Sequence, residues 1–505
     1  MPNLLYDALF SPLAERDTPF LHLAQGQTIS GRTFHDLVLH FAAALQAIGL
    51  APGDRLAMQA AKSPEALALY GAAVAAGVVF LPLNTAYTAD EVAYFVENSG
   101  ARLLLGDSAN AATLQPVAQR TGARFHTLDA DGSGSFSSFA QEAKHRFTPV
   151  DLGEDDLAAF LYTSGTTGRS KGAMLTQGNL LSNAEVLVRE WRFTADDVLL
   201  HALPIFHTHG LFVASNVVLL SGGSMNFLPS FTIESVLSAL PQATSMMGVP
   251  TFYTRLLDEP RFDRALVQHM RLFTSGSAPL LAETHTAFEK RTGHKILERY
   301  GMTETNMNTS NPYEGDRRPG TVGLPLPGVE LKITDPATGE ALPQGEAGMI
   351  EVRGPNVFKG YWQMPEKTRE ELRDDGFFIT GDIGQIDADG YVSIVGRQKD
   401  LIITGGYNVY PKEIELIIDE QPGVLESAVI GLPHPDFGEA VACVVVPEKG
   451  AALDPDALGA SIRTRMARFK QPKAIFVVDA LPRNTMGKVQ KNVLRETYKA
   501  QFATG

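Results

Sequence analysis

A loop rich in glycine and hydroxyl side chains carries the clearest chemical signal in the sequence. It follows an apolar run at residues 157–162 that predicts a strand, and it reads TSGTTGRSKG over residues 163–172. Glycines let the backbone approach a ligand closely, and successive N–H groups can form a concavity that binds anions. The hydroxyls add donors and Lys171 adds a mobile positive charge. The loop therefore favours a polyphosphate ligand.

The order of residues around Lys171 separates this loop from a Walker A motif. A Walker A loop has glycine directly before its lysine and serine or threonine directly after it. Here those two places hold Ser170 and Gly172, which argues against a GTPase-type site. From composition alone, a surface turn rich in small polar residues remains the alternative.

The loop and seven further segments, in the same order along the chain, resemble the motifs of the acyl-adenylate-forming superfamily. That superfamily comprises acyl-CoA synthetases, adenylation domains of peptide synthetases and beetle luciferases, and the loop at 163–172 resembles its phosphate loop. The other segments are PIFHTHG (204–210), SGSAP (275–279), YGMTE (300–304), FITGD (378–382), GRQKD (396–400), GGYNVYP (405–411) and NTMGK (484–488). The resemblance covers nearly the whole chain.

The resemblance implies an enzyme that adenylates a small carboxylic acid with ATP and Mg²⁺ and passes the acyl group to coenzyme A. The carboxylate attacks the α-phosphorus and pyrophosphate leaves. Both reactants are anions, so positioning and charge neutralisation should supply most of the catalysis.

The phosphate and metal contacts follow from the same resemblance. Glu304 is implied to bind Mg²⁺, a cation that takes oxygen ligands, and Thr303 is implied to contact the α-phosphate. A solvated surface acid is the commoner fate of a lone glutamate. The implied phosphate-loop residues are Thr163, Ser164, Gly165, Thr166, Thr167, Gly168 and Lys171, with Thr166 a second candidate metal ligand.

The resemblance also assigns the nucleoside contacts. Asp382 is implied to accept hydrogen bonds from the ribose hydroxyls, with Arg397 beside it. The segments implied to hold the rest of the nucleotide contain Ser277, Ala278, Pro279, Glu298, Arg299, Tyr300, Gly301 and Met302.

Lys488 matches the catalytic lysine of the superfamily, which bridges the carboxylate and the α-phosphate. Taken alone, a lysine in this turn-like segment would be a solvated surface charge. The resemblance makes Lys399 the hinge of a mobile C-terminal domain. It also raises the hypothesis that a lysine acyltransferase regulates Lys488, because acylation would remove the charge.

The contacts to coenzyme A are the least defined part of the implied site. Residues 463–470 predict a basic helix, which could bind the CoA phosphates or form an ordinary solvated face. The candidates are Gly405, Gly406, Tyr407, Arg463, Arg468 and Lys470, with Arg465 in the same segment.

His207 and His209 would share a face if residues 207–209 formed a strand, and could then hold a metal. No third or fourth ligand follows nearby, so this hypothesis is weak. The resemblance instead places His207 beside the acyl carboxylate and the α-phosphate. His209 receives no role beyond core packing.

Arg299 narrows the range of acids that the site could accept. Members of the superfamily that bind apolar acyl chains commonly have an uncharged residue directly before Tyr-Gly. A guanidinium facing an apolar pocket would be unpaired, whereas a second substrate carboxylate would pair with it.

The form RYGMTE resembles malonyl-CoA and methylmalonyl-CoA synthetases, so we expect a short dicarboxylate, malonate first. His207 and Ser277 would assist, and Thr208 with Met302 or Met307 would limit the substituent at C2. The alternative is that Arg299 pairs with Glu298 and braces the loop.

Other functions are compatible with parts of the pattern. A CoA ligase for another short, medium or aryl acid is the main alternative, and a luciferase-like oxygenase or a peptide-synthetase adenylation module shares the same loops. An inactive nucleotide sensor would predict damage at Lys171, Glu304, Asp382 or Lys488, and all four match the motifs.

The strands and helices that must position these residues can be predicted from the sequence pattern. Their alternation indicates an α/β fold with largely parallel sheets. Apolar runs at 55–60, 78–83 and 102–105 predict strands, and stretches at 34–48, 64–76 and 89–99 predict helices. Between residues 321 and 395, glycines and prolines separate short strands at 330–333, 348–353 and 392–395, which indicates a small β unit. A small α+β pattern follows, so we predict domains at 1–397 and 398–505.

Composition limits the classes of partner and the cellular setting that the protein could have. The chain has 505 residues and a net charge of −14, which argues against nucleic acid as a general partner. Its one cysteine, Cys443, lies in an apolar run that predicts a buried strand. No basic leader and no apolar run of about 20 residues is visible, so we expect a cytoplasmic protein without a membrane span.

Overall fold

The computed structural model of the protein describes residues 2–143, 147–163, 170–405, 407–483 and 488–502. The chain divides into two compact units. The first contains Met1–Glu330 and Val352–Phe378, and the second contains Leu331–Glu351 and Ile379–Gly505. The second unit thus includes the segment just before residue 398, and the boundary near residue 398 stays a prediction.

The strands of the first unit supply two large sheets. In chain order they are β1 (Pro19–His22), β2 (Thr28–Ser30), β3 (Arg55–Gln59), β4 (Val79–Pro82), β5 (Leu103–Gly106), β6 (Arg124–Thr127), β7 (Leu157–Thr163), β8 (Lys171–Thr176), β9 (Val198–His201), β10 (Ser224–Phe227), β11 (Ser245–Gly248), β12 (Leu272–Ser275), β13 (Leu297–Met302), β14 (Asn306–Ser310) and β15 (Leu324–Pro325).

Both sheets are largely parallel, which confirms the predicted fold class. One has the order β6-β5-β3-β4-β7-β8, with β7 and β8 antiparallel and the other neighbours parallel. The other has the order β15-β14-β13-β12-β11-β9-β10-β1-β2 and is parallel from β13 to β1.

Helices cover the faces of these sheets. Those of the first unit are α1 (Leu4–Leu9), α2 (Gly31–Ile48), α3 (Pro64–Ala76), α4 (Ala89–Ser99), α5 (Ala111–Thr121), α6 (Ser135–Ala143), α7 (Gln177–Glu190), α8 (Asn216–Ser221), α9 (Ile233–Ala239), α10 (Pro250–Leu257), α11 (Arg264–Val267), α12 (Ala282–Thr292) and α13 (Pro365–Glu371). The predicted bounds of α3 and α4 are confirmed. The Ser63 hydroxyl caps the start of α3, and Gly77, at φ 68°, ends it.

The second unit is built on smaller sheets. Its strands are β16 (Glu330–Thr334), β17 (Gly348–Arg353), β18 (Phe378–Ile386), β19 (Val392–Arg397), β20 (Ile402–Thr404), β21 (Tyr407–Val409), β22 (Val424–His434), β23 (Gly438–Pro447) and β24 (Ala474–Val477). They are ordered β16-β17-β18-β19 and β21-β20-β23-β22, with β24 beside β23. Its helices are α14 (Pro411–Asp419), α15 (Pro455–Ile462) and α16 (Lys491–Tyr498).

Two smaller predictions can be compared with the structure. Cys443 is fully buried in β23, and burial raises the pKa of its thiol well above the ordinary value, as expected of a core residue. Among the described residues, the helices fall short of the length and hydropathy that a membrane span requires.

A buried ion pair holds the starts of the strands that lead to the candidate site. Asp197 directly precedes β9 and Arg271 directly precedes β12, and two hydrogen bonds of 2.6 and 2.8 Å join their side chains. The backbone N–H of Thr194 and the hydroxyl of Thr244 donate to the same carboxylate. Burial alone would raise the pKa of Asp197, but these hydrogen bonds lower it on balance below its ordinary value.

We expect Asp197→Asn to lower the free energy of unfolding by about 3 kcal/mol at neutral pH, because Arg271 loses its charged partner. Since the pKa of Asp197 is lower in the folded protein, this difference should be complete above a pH of about 5. It should shrink as the pH falls through the folded value. Urea denaturation followed by tryptophan fluorescence measures it, because Trp191 and Trp362 both lie in the first unit. The exposed neighbour Asp196→Asn is the control, and equal losses in both variants would contradict the prediction.

Candidate active site

The carboxyl ends of adjacent parallel strands gather most of the predicted side chains of the first unit. Strands β9, β11, β12 and β13 follow one another in one sheet. The segments 204–210, 275–279 and 300–304 lie close to the ends of β9, β12 and β13. Ligands of open α/β sheets bind beyond these ends.

Arg299 is a buried guanidinium in β13. Its exposed fraction is 2%, and its Nε and Nη2 atoms have no hydrogen-bond partner in the described part of the chain. The guanidinium packs so closely on Gly276 that a side chain there would collide with it. Burial lowers the pKa of Arg299 to about 10, against smaller opposing effects of Tyr253 and Glu298. The group stays a cation near neutral pH.

The geometry of Glu298 disfavours the bracing alternative. Its Oε1 accepts a hydrogen bond of 3.1 Å from the backbone N–H of Leu280. Consecutive residues of a strand point to opposite faces of the sheet, so Glu298 and Arg299 leave β13 in opposite directions. The charge of Glu298 affects the pKa of Arg299 less than burial does.

His209 lies beside the predicted acyl contact Ser277, although the sequence assigned it only core packing. Its Nδ1 is 3.1 Å from the Ser277 hydroxyl, and Ser277 has the left-handed φ of 72°. His209 is 2% exposed, and its Nε2 has no hydrogen-bond partner among the described residues. Burial and then the charge of Arg299 lower its pKa well below the ordinary value. The ring is therefore neutral.

Residues 207–209 do not form a strand, which was the condition for a metal site on His207 and His209. His207 lies in a turn, packed edge-on against Phe206 at 4.7 Å, and a π-helix begins at His209 and ends at Ser215. Single π-helical turns are frequent at functional sites. Within the described ranges, no three histidine, cysteine or acidic side chains are grouped as metal ligands.

Thr208 and the methionines close the same region. The Thr208 hydroxyl donates a 2.6 Å hydrogen bond to Asn306, which has a left-handed φ of 50°. Gly301 leaves room for this arrangement, since a side chain there would strike the Asn306 carbonyl and Met307. Met307 is buried and Met302 half-buried, so Met307 joins Met302 as a candidate wall of the pocket.

Glu304 and Lys171 are brought together through two residues that the sequence did not single out. The Tyr361 hydroxyl is 3.1 Å from Glu304 and 2.6 Å from Glu371, and Lys171 contacts the same Glu371 carboxylate at 3.0 and 3.1 Å. Glu304 is 5% exposed. A buried carboxylate near the lysine that is predicted to bind phosphate suits Mg²⁺, which takes few protein ligands besides phosphate oxygens and water.

The other described residues of the first unit that are predicted to contact the nucleotide lie at or near the ends of strands. Ala278 and Pro279 follow Ser277 directly after β12, Tyr300 is buried in β13, and Thr303 directly follows that strand, half-buried. Thr163 is the last residue of β7, directly before the glycine-rich loop.

Asp382 and Arg397 face each other in the second unit. They are register partners on β18 and β19, and Arg397 Nε is 2.9 Å from the Asp382 carboxylate. Asp382 is buried, so its carboxylate is held in place before any ligand arrives. Burial, and then the charge of Arg397, lower the pKa of Lys399.

The predicted basic helix at 463–470 is wrong. Helix α15 ends at Ile462, and two 3₁₀ turns follow at Arg463–Arg465 and Arg468–Lys470. Met466 between them is extended, at φ −146° and ψ 154°, which ends the first turn. The basic side chains therefore do not share one helix face.

Aromatic rings and ion pairs mark the surface next to these turns. Tyr407 stacks on Phe469 at 4.7 Å, and both rings are exposed. Lys470 is paired with Glu413 at 2.5 Å, and Arg465 with Glu420. Gly405 has a left-handed φ of 57°, and Lys488 is exposed.

Several predicted residues lie outside the described part of the chain. They are Ser164, Gly165, Thr166, Thr167 and Gly168 of the glycine-rich loop, Gly406, and the segment 484–487 before Lys488.

Comparisons with known proteins identify the family of the chain. A family model described as AMP-binding enzyme matches residues 13–362, and one described as AMP-binding enzyme C-terminal domain matches residues 413–488. A malonate–CoA ligase of Arabidopsis thaliana is 34% identical over 90% of this chain and 80% of its own length. A feruloyl-CoA synthase of an Amycolatopsis species is 37% identical over 91% and 92%.

A solved structure is more similar still. The crystal structure of ATP-bound MatB from Rhodopseudomonas palustris is 57% identical, has a TM-score of 0.97, and is matched over 99% of this chain and 100% of its own. Together with the two matched family models, this similarity places the chain in the family of AMP-binding enzymes.

Proposed function

We propose that this protein is an ATP-dependent ligase that adenylates malonate and transfers the malonyl group to coenzyme A, releasing AMP and pyrophosphate. The observation that carries the choice of acid is Arg299, a buried guanidinium with two nitrogen atoms that have no partner in the described residues. The relatives named above, a malonate–CoA ligase and ATP-bound MatB, support the reaction class.

The donors around Arg299 fit a substrate carboxylate. A neutral imidazole carries one N–H, so if the Ser277 hydroxyl donates to Nδ1 of His209, the proton lies on Nε2. Arg299 and His209 then present donors to the same region, and both require an acceptor. A carboxylate at the far end of the acid supplies one with the charge that Arg299 needs. A monocarboxylic acid would leave the guanidinium unpaired at a cost of several kcal/mol.

The first unit would also hold the phosphates and orient the reacting carboxylate. In this proposal Lys171 and the loop before it bind the β- and γ-phosphates, and Thr303 contacts the α-phosphate. Glu304 binds Mg²⁺, which neutralises phosphate charge when bound. His207 lies at the reacting end of the acid, while Thr208, Met302 and Met307 limit the space at C2, so methylmalonate is the closest analogue to test.

The second unit would supply the remaining contacts. Asp382 and Arg397 hold the ribose, and Lys488 stabilises charge on the attacking carboxylate and the α-phosphate. Lys399 absorbs the backbone rotation of a mobile domain. For coenzyme A, the Tyr407–Phe469 stack with Gly405, Arg463 and Arg468 is the best supported surface. Lys470 is less available because it pairs with Glu413.

A panel of acids tests the function as a whole. With ATP, Mg²⁺ and coenzyme A, we expect malonate to support AMP release with a kcat/KM about 100-fold or more above that of propionate, hexanoate or ferulate, because a site built around a charged partner rejects acids that lack a second carboxylate. Mass spectrometry of the thioester product identifies the acid transferred. Efficient turnover of ferulate or hexanoate without turnover of malonate would show that the substrate is wrong while the reaction class stands.

Arg299→Ala separates a substrate contact from a structural brace. We expect the kcat/KM for malonate to fall about 1,000-fold, and that for propionate by less than about tenfold, because the lost contact reaches only the second carboxylate. Arg299→Lys keeps the charge but loses the planar fork, so an intermediate loss is expected. Equal losses on both acids would show that Arg299 only braces the strand ends.

Lys488→Ala should nearly abolish adenylation while ATP binding stays within a few-fold of wild type. The lysine acts on charge that develops in the transition state, and such a contact affects rate more than ground-state binding. Malonate-dependent pyrophosphate release and calorimetric ATP titration measure the two effects. Lys499→Ala, a surface lysine of the same unit, is the control. Pyrophosphate release at near wild-type rates would remove Lys488 from the mechanism.

A further inference from the structure

Lys171 is held by a carboxylate that no motif singled out. Its ammonium group contacts both oxygens of Glu371 at 3.0 and 3.1 Å and lies 4.1 Å above the ring of Tyr361. The side chains of Lys171 and Glu371 are 10% and 21% exposed. Because both charges are largely removed from water, each depends on the other more than a surface pair would.

Glu371 is the fixed member of this pair. It is the last residue of α13, and the Tyr361 hydroxyl contacts its Oε2 at 2.6 Å. Lys367, one turn earlier, contacts its Oε1 at 3.0 Å. Tyr361 is itself fixed, since its N–H donates to Thr368 and its neighbour Trp362 donates to the Gly172 carbonyl. Lys171, by contrast, has a flexible four-carbon side chain that can move its charge.

The same tyrosine connects this pair to the candidate metal ligand. The hydroxyl of Tyr361 is also 3.1 Å from Glu304 Oε1. Tyr361 therefore lies between the carboxylate that would bind Mg²⁺ and the carboxylate that holds the phosphate-binding lysine. A polyphosphate arriving here meets a lysine that is already paired, and a second negative charge beside it.

We propose that Glu371 is a positioning residue, the resting counter-ion of Lys171, and that the phosphates of ATP take Lys171 from it on binding. This inference rests on the proposed role of Lys171 in binding ATP. Without nucleotide, Glu371 prevents a buried, unpaired ammonium. With nucleotide, Lys171 exchanges one anionic partner for another. The loss of the ion pair with Glu371 therefore offsets part of the favourable free energy between Lys171 and ATP.

The exchange predicts that removing the charge of Glu371 strengthens ATP binding. Glu371→Gln keeps an oxygen that can accept from Tyr361 but leaves Lys171 without its ion pair in the free enzyme. ATP then restores a partner and no longer faces the negative charge of Glu371. If Glu371 instead orients Lys171 for the phosphates, its removal must weaken ATP binding. The two roles therefore give effects of opposite sign.

The experiment titrates the full-length variants with ATP in the absence of acid and coenzyme A, by calorimetry. We expect Glu371→Gln to bind ATP about tenfold more tightly than wild type, within the range of coupling between neighbouring charges. Its melting temperature without ligand should be lower, and the increase in melting temperature caused by ATP larger. Glu371→Asp, which keeps the charge but shortens its reach, should shift both quantities in the same direction by less, and it tests the proposal if the glutamine variant does not fold.

Glu370→Gln is the matched control. Glu370 is the preceding residue of α13, its side chain is 64% exposed, and it contacts Lys367 at 2.8 Å. The same loss of one charge should leave ATP affinity within about twofold, as expected for an exposed pair. An equal gain in both variants would show a general charge effect, and weaker or unchanged ATP binding in Glu371→Gln would overturn the proposal.

Lys171→Met separates this inference from the function on which it rests. The substitution should weaken ATP binding. When Glu371→Gln is added to Lys171→Met, it should increase ATP affinity less than it does in the wild-type enzyme. Undiminished affinity in Lys171→Met would remove the lysine from the nucleotide site altogether. Weaker binding in Lys171→Met without tightening in Glu371→Gln would contradict only the exchange.

Discussion

A positive charge buried within β13 governs much of the candidate site of the first unit. Arg299 is held in β13 between neighbours that offer it no acceptor for two of its nitrogen atoms within the described chain, and close packing on Gly276 leaves little freedom to turn away. A guanidinium so placed costs several kcal/mol unless an anion reaches it. Three features maintain the position of the Arg299 guanidinium. They are the strand register, the absence of a side chain at Gly276 and the position of Ser277.

Other buried polar groups near the ends of these strands also lack hydrogen-bond partners among the described residues. In the described residues, the hydroxyls of Thr274 and Ser275, the Nδ2 of Asn306 and the Nε2 of His209 are buried without hydrogen-bond partners. Such groups are rare in protein interiors because each costs about 1–3 kcal/mol. Their concentration at the ends of β9, β12 and β13 is typical of a surface shaped for a ligand rather than for stability.

The sequence was informative where local pattern decides structure. The bounds of α3 and α4 followed from the periodicity of apolar residues, and the largely parallel sheets followed from the alternation of strands and helices. Arg299 was identified because a charge stood where the resembled motif is usually uncharged. The basic helix at 463–470 failed because Met466 is extended, which composition does not reveal.

Contacts between distant parts of the chain could not be predicted from the sequence. Lys171 and Glu371 are 200 residues apart, and only the pairing of residues 359–362 alongside β8 brings them together. His209 was missed for a related reason. The two residues are 68 positions apart in the chain, although the place of His209 two residues after His207 was a signal.

The π-helix at His209–Ser215 has a consequence for how this family can vary. A π-helical turn accommodates one residue more than an α-helical turn, so the segment behaves as a single-residue insertion ahead of α8. Losing one residue there would let the turn close as an α-helix, so the side chains of the turn itself would point in different directions around the helix axis. His209 begins this turn and lies 3.1 Å from the Ser277 hydroxyl in its π-helical form. The length of this turn, and not only the identity of its residues, is therefore a constraint on any descendant that keeps the same pocket.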